Sequence, residues 1–245
     1  MNEVTDTGII LDLRAHGENH AIANILSARQ GRIAGLVHGG QGRRQQPNVQ
    51  PGNLVNFTWR ARMSQQLGTF TLELTHNPSA GVMHDSARLS ALQFLSPLLA
   101  RVLPEHHPYP NLYARYEAFL RAINTPDWAQ QYVMLEVRLL AELGYGLDFT
   151  RCAMTQNTDT TQLAFVSPKT GRAATADAAR GYERQLFALP KFMVSNAAAT
   201  MDCIASGLML TGYFLEQSLA DFHSKNLWQF RVRMLQNFQR MAAAA

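Results

Sequence analysis

Cysteine is nearly absent: only Cys152 and Cys203 occur in 245 residues, far apart in the chain. That excludes a disulfide scaffold and points to a reducing compartment. Long apolar runs are absent too. The nearest, Cys203 to Leu215, is too short and too rich in small residues to span a bilayer, which needs roughly 18 to 20 residues. Met1 to Arg14 carries Glu3, Asp6 and Asp12 instead of a basic region followed by an apolar stretch, so no secretion signal is expected. A soluble, cytoplasmic protein with no membrane partner is predicted. Catalytic signatures are also missing: there is no nucleophile elbow, phosphate loop, dinucleotide fingerprint or His-Glu-x-x-His helix. The segment His38-Gly39-Gly40-Gln41-Gly42 imitates a phosphate loop but lacks the lysine and hydroxyl that handle a nucleotide and its magnesium. A hydrolase reading built on Asp148 and Asp159 has no supporting constellation, and an enzyme is not expected.

Acid is missing from one region in particular. The net charge of +4 is a weak argument for a polyanionic partner. Between Glu18 and Glu73, however, there is no acidic residue, while Arg29, Arg32, Arg43, Arg44, Arg60 and Arg62 give that stretch +6, with His20 and His38 besides. The chain is 47% hydrophobic, and its length suits two small domains.

Residues 1–80 read as five short strands, over 8–14, 21–28, 32–38, 54–63 and 68–75, bounded by turn formers such as Gly17, Gly31, Pro51-Gly52 and Asn77-Pro78. In the fourth, Val55, Phe57 and Trp59 share one face and Asn56, Thr58, Arg60 and Arg62 the other, so one face is core and the other wet and basic. Five strands with a longer third connection fit the OB-fold, an all-β barrel that commonly binds single-stranded nucleic acid. The connection, Gly39 to Gln50, is expected to be a mobile basic loop.

Beyond Gly81 the spacing turns helical. Helices are predicted over 86–102, which Pro97 should kink or split, over 111–123, and from a Thr125-Pro126 start to a Gly144 stop, with Trp128, Tyr132, Leu135, Leu139 and Leu143 as the buried stripe. Helical spacing lapses over about 148–181, where Ser167-Pro168-Lys169-Thr170-Gly171 suggests a small β-hairpin insertion. It returns over 195–221 and 227–241. The fold class is therefore multi-domain: an N-terminal all-β OB-fold barrel over 1–80 and a mainly α-helical C-terminal domain over 81–245 carrying the insertion. His16 and His20, separated by Gly17 in a turn, and His106-His107, between prolines, read as ordinary surface residues and not as metal ligands.

The run Leu143-Gly144-Tyr145-Gly146-Leu147-Asp148-Phe149-Thr150-Arg151-Cys152 makes the chain recognisable. Together with Gly8-Ile9-Ile10-Leu11, Gly17-Glu18, Gly31-Arg32-Ile33, Gly39, Arg43-Arg44 and Val49-Gln50-Pro51-Gly52, it resembles the RecO family of bacterial recombination mediators. The resemblance is strongest over 8–75 and 128–172. It implies binding of single- and double-stranded DNA, annealing of complementary strands, contacts with RecR and with the C-terminal tail of the single-strand-binding protein SSB, help in loading RecA, and a nucleoid-associated place in the bacterial cytoplasm. Some family members hold zinc with two pairs of cysteines in a zinc-finger-like insertion. Here Thr155 stands where the second cysteine would be and Ser167 to Ala173 offers no thiolate, so no metal and no cofactor are expected.

Sequence-tolerant binding favours arginine contacts to phosphate. The candidates are Arg32, Arg43, Arg44, Arg60 and Arg62, then Arg29 and Arg14. Phe57, Trp59 and Phe70 look like core, which leaves charge to do the binding. The SSB tail is acidic with an apolar end, and Arg121 and Arg138 beside Tyr116 and Leu135 are candidate components of its pocket. An OB-containing RNA-binding or translation-associated protein is the alternative that the barrel and basic stretch equally permit.

Overall fold

Alternation at period two fixes five strands, and their pairing closes a barrel. The computed structural model describes residues 2–63, 66–222 and 224–243. β1 (Asn2–His16), β2 (His20–Ser27), β3 (Gly31–Val37), β4 (Leu54–Ala61) and β5 (Gly68–His76) run in the order β1-β2-β3-β5-β4. β1 serves two neighbours, pairing with β4 from Asn2↔Ala61 to Ile9↔Leu54 and with β2 from Gly8↔Ser27 to His16↔His20; an irregularity between Ile10 and Asp12 lets it turn from one to the other. Parallel pairing of β3 with β5, Gly35↔Gly68 to Val37↔Phe70, closes the barrel in the OB arrangement.

The inward faces meet as predicted. Ile10, Ile25, Ile33, Val55, Phe57, Trp59 and Phe70 are buried together, the Phe57 and Phe70 rings edge to face at 5.5 Å, and the Trp59 indole N–H donates to the Ala34 carbonyl at 3.0 Å. Gly68 lies against the indole: a Cβ there would meet it at 2.2 Å.

The chain divides into two compact units, Met1–Asn124 with Ser224–Arg231, and Thr125–His223 with Val232–Ala245. The first contains the barrel, α1 (Ser86–Val102) and α2 (Pro110–Ala122). The Asp85 carboxylate caps α1 by accepting the Ala87 and Arg88 N–H groups, both at 3.0 Å. Pro97 does not split it: α1 is one helix. Proline removes only the bond to the carbonyl of Gln93, an exposed residue that water can serve. The Tyr113 hydroxyl on α2 donates to Thr7 of β1 at 3.2 Å.

The second unit holds α3 (Trp128–Glu142), α4 (Met201–Ser218) and most of α5 (Lys225–Ala243). α3 starts two residues later than predicted: Asp127 occupies the cap position, and the Thr125 hydroxyl bonds to its carboxylate instead of capping the helix. α3 and α4 pack closely enough that a Cβ on Gly207 would lie 3.0 Å from Val133. The insertion is more than a hairpin. β6 (Leu163–Val166) pairs with β7 (Ala173–Thr175) and also with β8 (Phe187–Ala188), a strand too short to show a period.

Candidate nucleic-acid interface

The linear +6 stretch does not fold into a +6 surface. Three of its arginines meet acids that the chain supplies from outside the stretch. Arg29 donates to the Asp6 carboxylate at 3.0 Å and to the Thr5 carbonyl at 2.7 Å. Arg60 pairs with Glu3 across the β1–β4 ladder at 3.0 Å. The hydrogen bond from Arg60 holds the Glu3 carboxyl below its usual range, so the anion persists beside the cation. Arg32 is half-buried, donating to the Leu103 carbonyl at 2.7 Å, to Asn24 at 2.6 Å and to Glu105 at 3.1 Å. That geometry corrects its reading as a phosphate contact. Its guanidinium is spent fastening β2 and β3 to the segment after α1, where His106 N–H also donates to the Arg32 carbonyl at 2.9 Å.

The outer face of β1, β4 and β5 is therefore wet but not basic. It carries a groove of about 540 Å³ whose lining includes Thr5, Thr7, Asn56, Thr58 and Thr71, with the acids Asp6 and Glu73 and the Asp6-paired Arg29 beside them. Such a wall offers a phosphate chain no net attraction.

Four arginines remain exposed, with no ion pair among the described residues: Arg14, Arg43, Arg44 and Arg62. Arg62 follows β4 at the Asn2 end of β1. The other three belong to the opposite end, Arg14 two residues before the close of β1 and Arg43 and Arg44 in the β3–β4 connection, which bonds to the β1–β2 turn. This connection, predicted to be mobile, is pinned. Gln41 donates from its backbone to the Asn19 carbonyl at 3.2 Å and from its side chain to the Gly17 and His20 carbonyls at 3.2 and 2.8 Å. Gly39 N–H donates to the His20 ring at 3.2 Å, and the His20 and His38 rings sit edge to face at 5.0 Å, so His20 is a tether, not an ordinary surface residue. Further on, Val49 is fully buried in the barrel core, and the Asn53 amide closes the loop onto the Pro47 and Asn48 carbonyls at 2.9 and 3.0 Å. Arg43 and Arg44 thus stand on an anchored loop beside the hairpin that carries Arg14. Val49, the one branched aliphatic residue of the connection, was a readable sign of anchoring; the amide and imidazole tethers left no sign in the spacing.

The family models for "Recombination protein O N terminal" and "Recombination protein O C terminal" match residues 1–78 and 83–227. The chain belongs to the RecO family. It is 43% identical over 238 residues to the DNA repair protein RecO of Rhodospirillum centenum, covering 97% of this chain and 95% of that protein. It is 39% identical over 237 residues to that of Cereibacter sphaeroides, covering 96% and 98%, and 39% identical over 252 residues to that of Rhodospirillum rubrum, covering 100% and 99%. Membership sets the chain among recombination and DNA repair proteins.

The zinc site of some RecO proteins does not fit this insertion. Among the described residues no group of three or more His, Cys, Asp or Glu is placed to hold a metal ion. Cys152 is buried, and its sulfur takes the Thr175 N–H at 3.5 Å and lies 3.9 Å from the Thr175 hydroxyl. Burial alone pushes the thiol up, but hydrogen bonds from the Thr155 hydroxyl and from the backbone of Thr155, Thr175 and Met154 outweigh it and bring its pKa down to about 6. One thiolate and two neutral hydroxyls are a poor donor set for zinc.

The four residues read as an SSB-tail pocket need correcting. Tyr116 and Leu135 are fully buried, Tyr116 with its hydroxyl bonded to Ser96, so neither can floor an open pocket. Arg121 and Arg138 pair along their own helices with Glu117 and Glu142. Among the described residues, no helix is long and apolar enough to cross a membrane.

Proposed function

We propose that this chain is a non-catalytic DNA-binding mediator of recombination and repair, a cytoplasmic, nucleoid-associated protein. It binds single- and double-stranded DNA, anneals complementary strands and, with RecR and SSB, helps load RecA. The observation that carries the DNA-binding step is the set of exposed guanidinium groups with no ion pair among the described residues at one end of a closed five-stranded barrel: Arg14 in β1 beside the β1–β2 turn, and Arg43 and Arg44 on a loop anchored to that turn by Gln41 and to the core by Val49. Guanidinium forks held on a fixed loop neutralise phosphates and read no base edges, which suits a protein that must accept any sequence. The stacking aromatics of other OB-folds are spent here on the core, as Phe57, Trp59 and Phe70.

The test is the salt dependence of single-strand binding. Each phosphate neutralised contributes a slope of roughly 0.7 in log K against log salt. Replacing Arg43 and Arg44 by Ala is expected to flatten the slope by about 1.4. An unchanged slope and affinity would leave the loop without a role in binding. An equal-length RNA competitor that binds more tightly than DNA would move the reading to an RNA-binding protein.

A further inference from the structure

We propose that the insertion in the second unit carries a separate contact for a nucleic-acid strand, built from Arg151, Lys169 and Arg172 with Tyr145 as a stacking ring; this deepens the function proposed above and rests on it.

The backbone there is locked. Asp148 N–H donates to the Gly171 carbonyl at 3.0 Å, and Ala173 N–H to the Asp148 carbonyl at 2.9 Å. These bonds tie the chain after α3 to the tight turn Ser167–Gly171, whose closing Gly171 has φ +66. The tie brings Arg151 and Arg172 around one carboxylate, Asp148, with Lys169 in the turn itself. That carboxylate is already engaged: its Oδ1 accepts the Thr150 N–H at 3.0 Å and hydroxyl at 2.6 Å, while Arg172 stays 4.0 Å from its Oδ2. Two exposed arginines thus share one anion that is turned to its own loop, and the exposed Lys169 adds a third cation in the tied turn. Arg151 and Lys169 make no ion pair or hydrogen bond among the described residues.

Tyr145, 52% exposed, stands just before this tie, flanked by Gly144 and Gly146. An exposed ring on the segment that leads to Arg151 and the weakly paired Arg172 suits a base stacked on the ring with its phosphates on the arginines. An acidic peptide would use the charges but leave the ring idle. Annealing brings two strands together, and a second contact on the same chain would hold one of them while the barrel loop holds the other.

The test compares the full-length chain with Arg151→Ala/Arg172→Ala and Tyr145→Ala variants, using a labelled oligonucleotide, its complement and an acidic peptide. All three substituted side chains are exposed, and Arg151→Lys/Arg172→Lys controls for charge. Wild type is expected to take up two strands per chain and the double alanine variant one, with annealing slowed at least tenfold and affinity for the first strand changed less than threefold. Tyr145→Ala is expected to slow annealing about fivefold, and the lysine variant to anneal near the wild-type rate. Unchanged stoichiometry and annealing in the double alanine variant overturn the proposal, and do so in favour of a peptide site if acidic-peptide binding is lost instead. A wild-type chain that binds no strand overturns this proposal together with the function beneath it, whereas loss of all binding on Arg43→Ala/Arg44→Ala alone, with one strand per wild-type chain, overturns only the second site.

Discussion

An arginine is defined here by what meets it. Arg32 and Arg43 look alike in the sequence, since both directly follow a glycine in an acid-free stretch. One ends half-buried on three acceptors and the other bare in solvent. Charged hydrogen bonds contribute roughly 1.5–3 kcal/mol each, and leaving buried acceptors unmet costs more. Arg32→Ala is therefore expected to lower stability by about 2 kcal/mol or more, whereas Arg43→Ala stays within about 0.5 kcal/mol; urea unfolding of the two variants measures the difference. Cys152 makes a second residue-scale case. Its folded pKa of about 6 lies below the thiol's ordinary value. The folded state therefore holds fewer protons than the unfolded chain between these values, and stability rises with pH across the interval. The contribution is complete above the unfolded pKa and lost as pH falls through about 6. The stability difference between wild type and Cys152→Ala is expected to shrink from pH 9 towards pH 6; a flat difference would mean that the sulfur is not ionised in the folded protein.

At the scale of elements, the kind of each strand and helix was legible where a period had room to repeat, but not always its bounds: β1 runs Asn2–His16 where a strand over 8–14 was predicted, and α4 begins at Met201 where a helix from 195 was predicted. β4 shows its alternation outright, and α1 has the bounds its leucine spacing predicts. The failures have physical causes. β8 is two residues long and exists only because β6 offers it an edge. The β3–β4 connection looked mobile because hydrogen bonds from Gln41 and Asn53 to distant carbonyls leave no periodic trace. Pro97 looked like a break, but the bond it forfeits was on the wet side of α1. Gly31 shows what such connections demand. With φ +75 it opens β3 directly beneath the backbone of His107, whose carbonyl oxygen would lie 1.9 Å from an added Cβ. Gly31→Ala is thus opposed both by conformation and by a backbone contact that no side-chain rotation relieves. It is expected to lower stability by about 2 kcal/mol or more and the melting temperature with it, as thermal unfolding would show.

For the whole molecule, the sequence reports how much charge there is and the fold decides how much of it faces outward unpaired. Counting arginines along the acid-free stretch gives six phosphate contacts and a single-strand salt slope of roughly 4. The folded barrel withdraws Arg29, Arg32 and Arg60 into contacts with Asp6, Glu105 and Glu3, and sets Arg62 at the far end of β1. It adds Arg14, which lies before the stretch, to Arg43 and Arg44. Three contacts give a slope of roughly 2, half the linear figure. The measurement belongs in the Arg151→Ala/Arg172→Ala background, so that cations of the insertion do not enter it. A slope near 2, falling towards zero when Arg14, Arg43 and Arg44 are all replaced, is the expected outcome. A slope near 4 would mean that DNA competes successfully with Asp6 and Glu3 for their arginines. Glu3→Gln separates the cases: it leaves the slope unchanged if the β1–β4–β5 face stands away from the strand, and steepens it by about 0.7 if Arg60 is a contact held back by its partner.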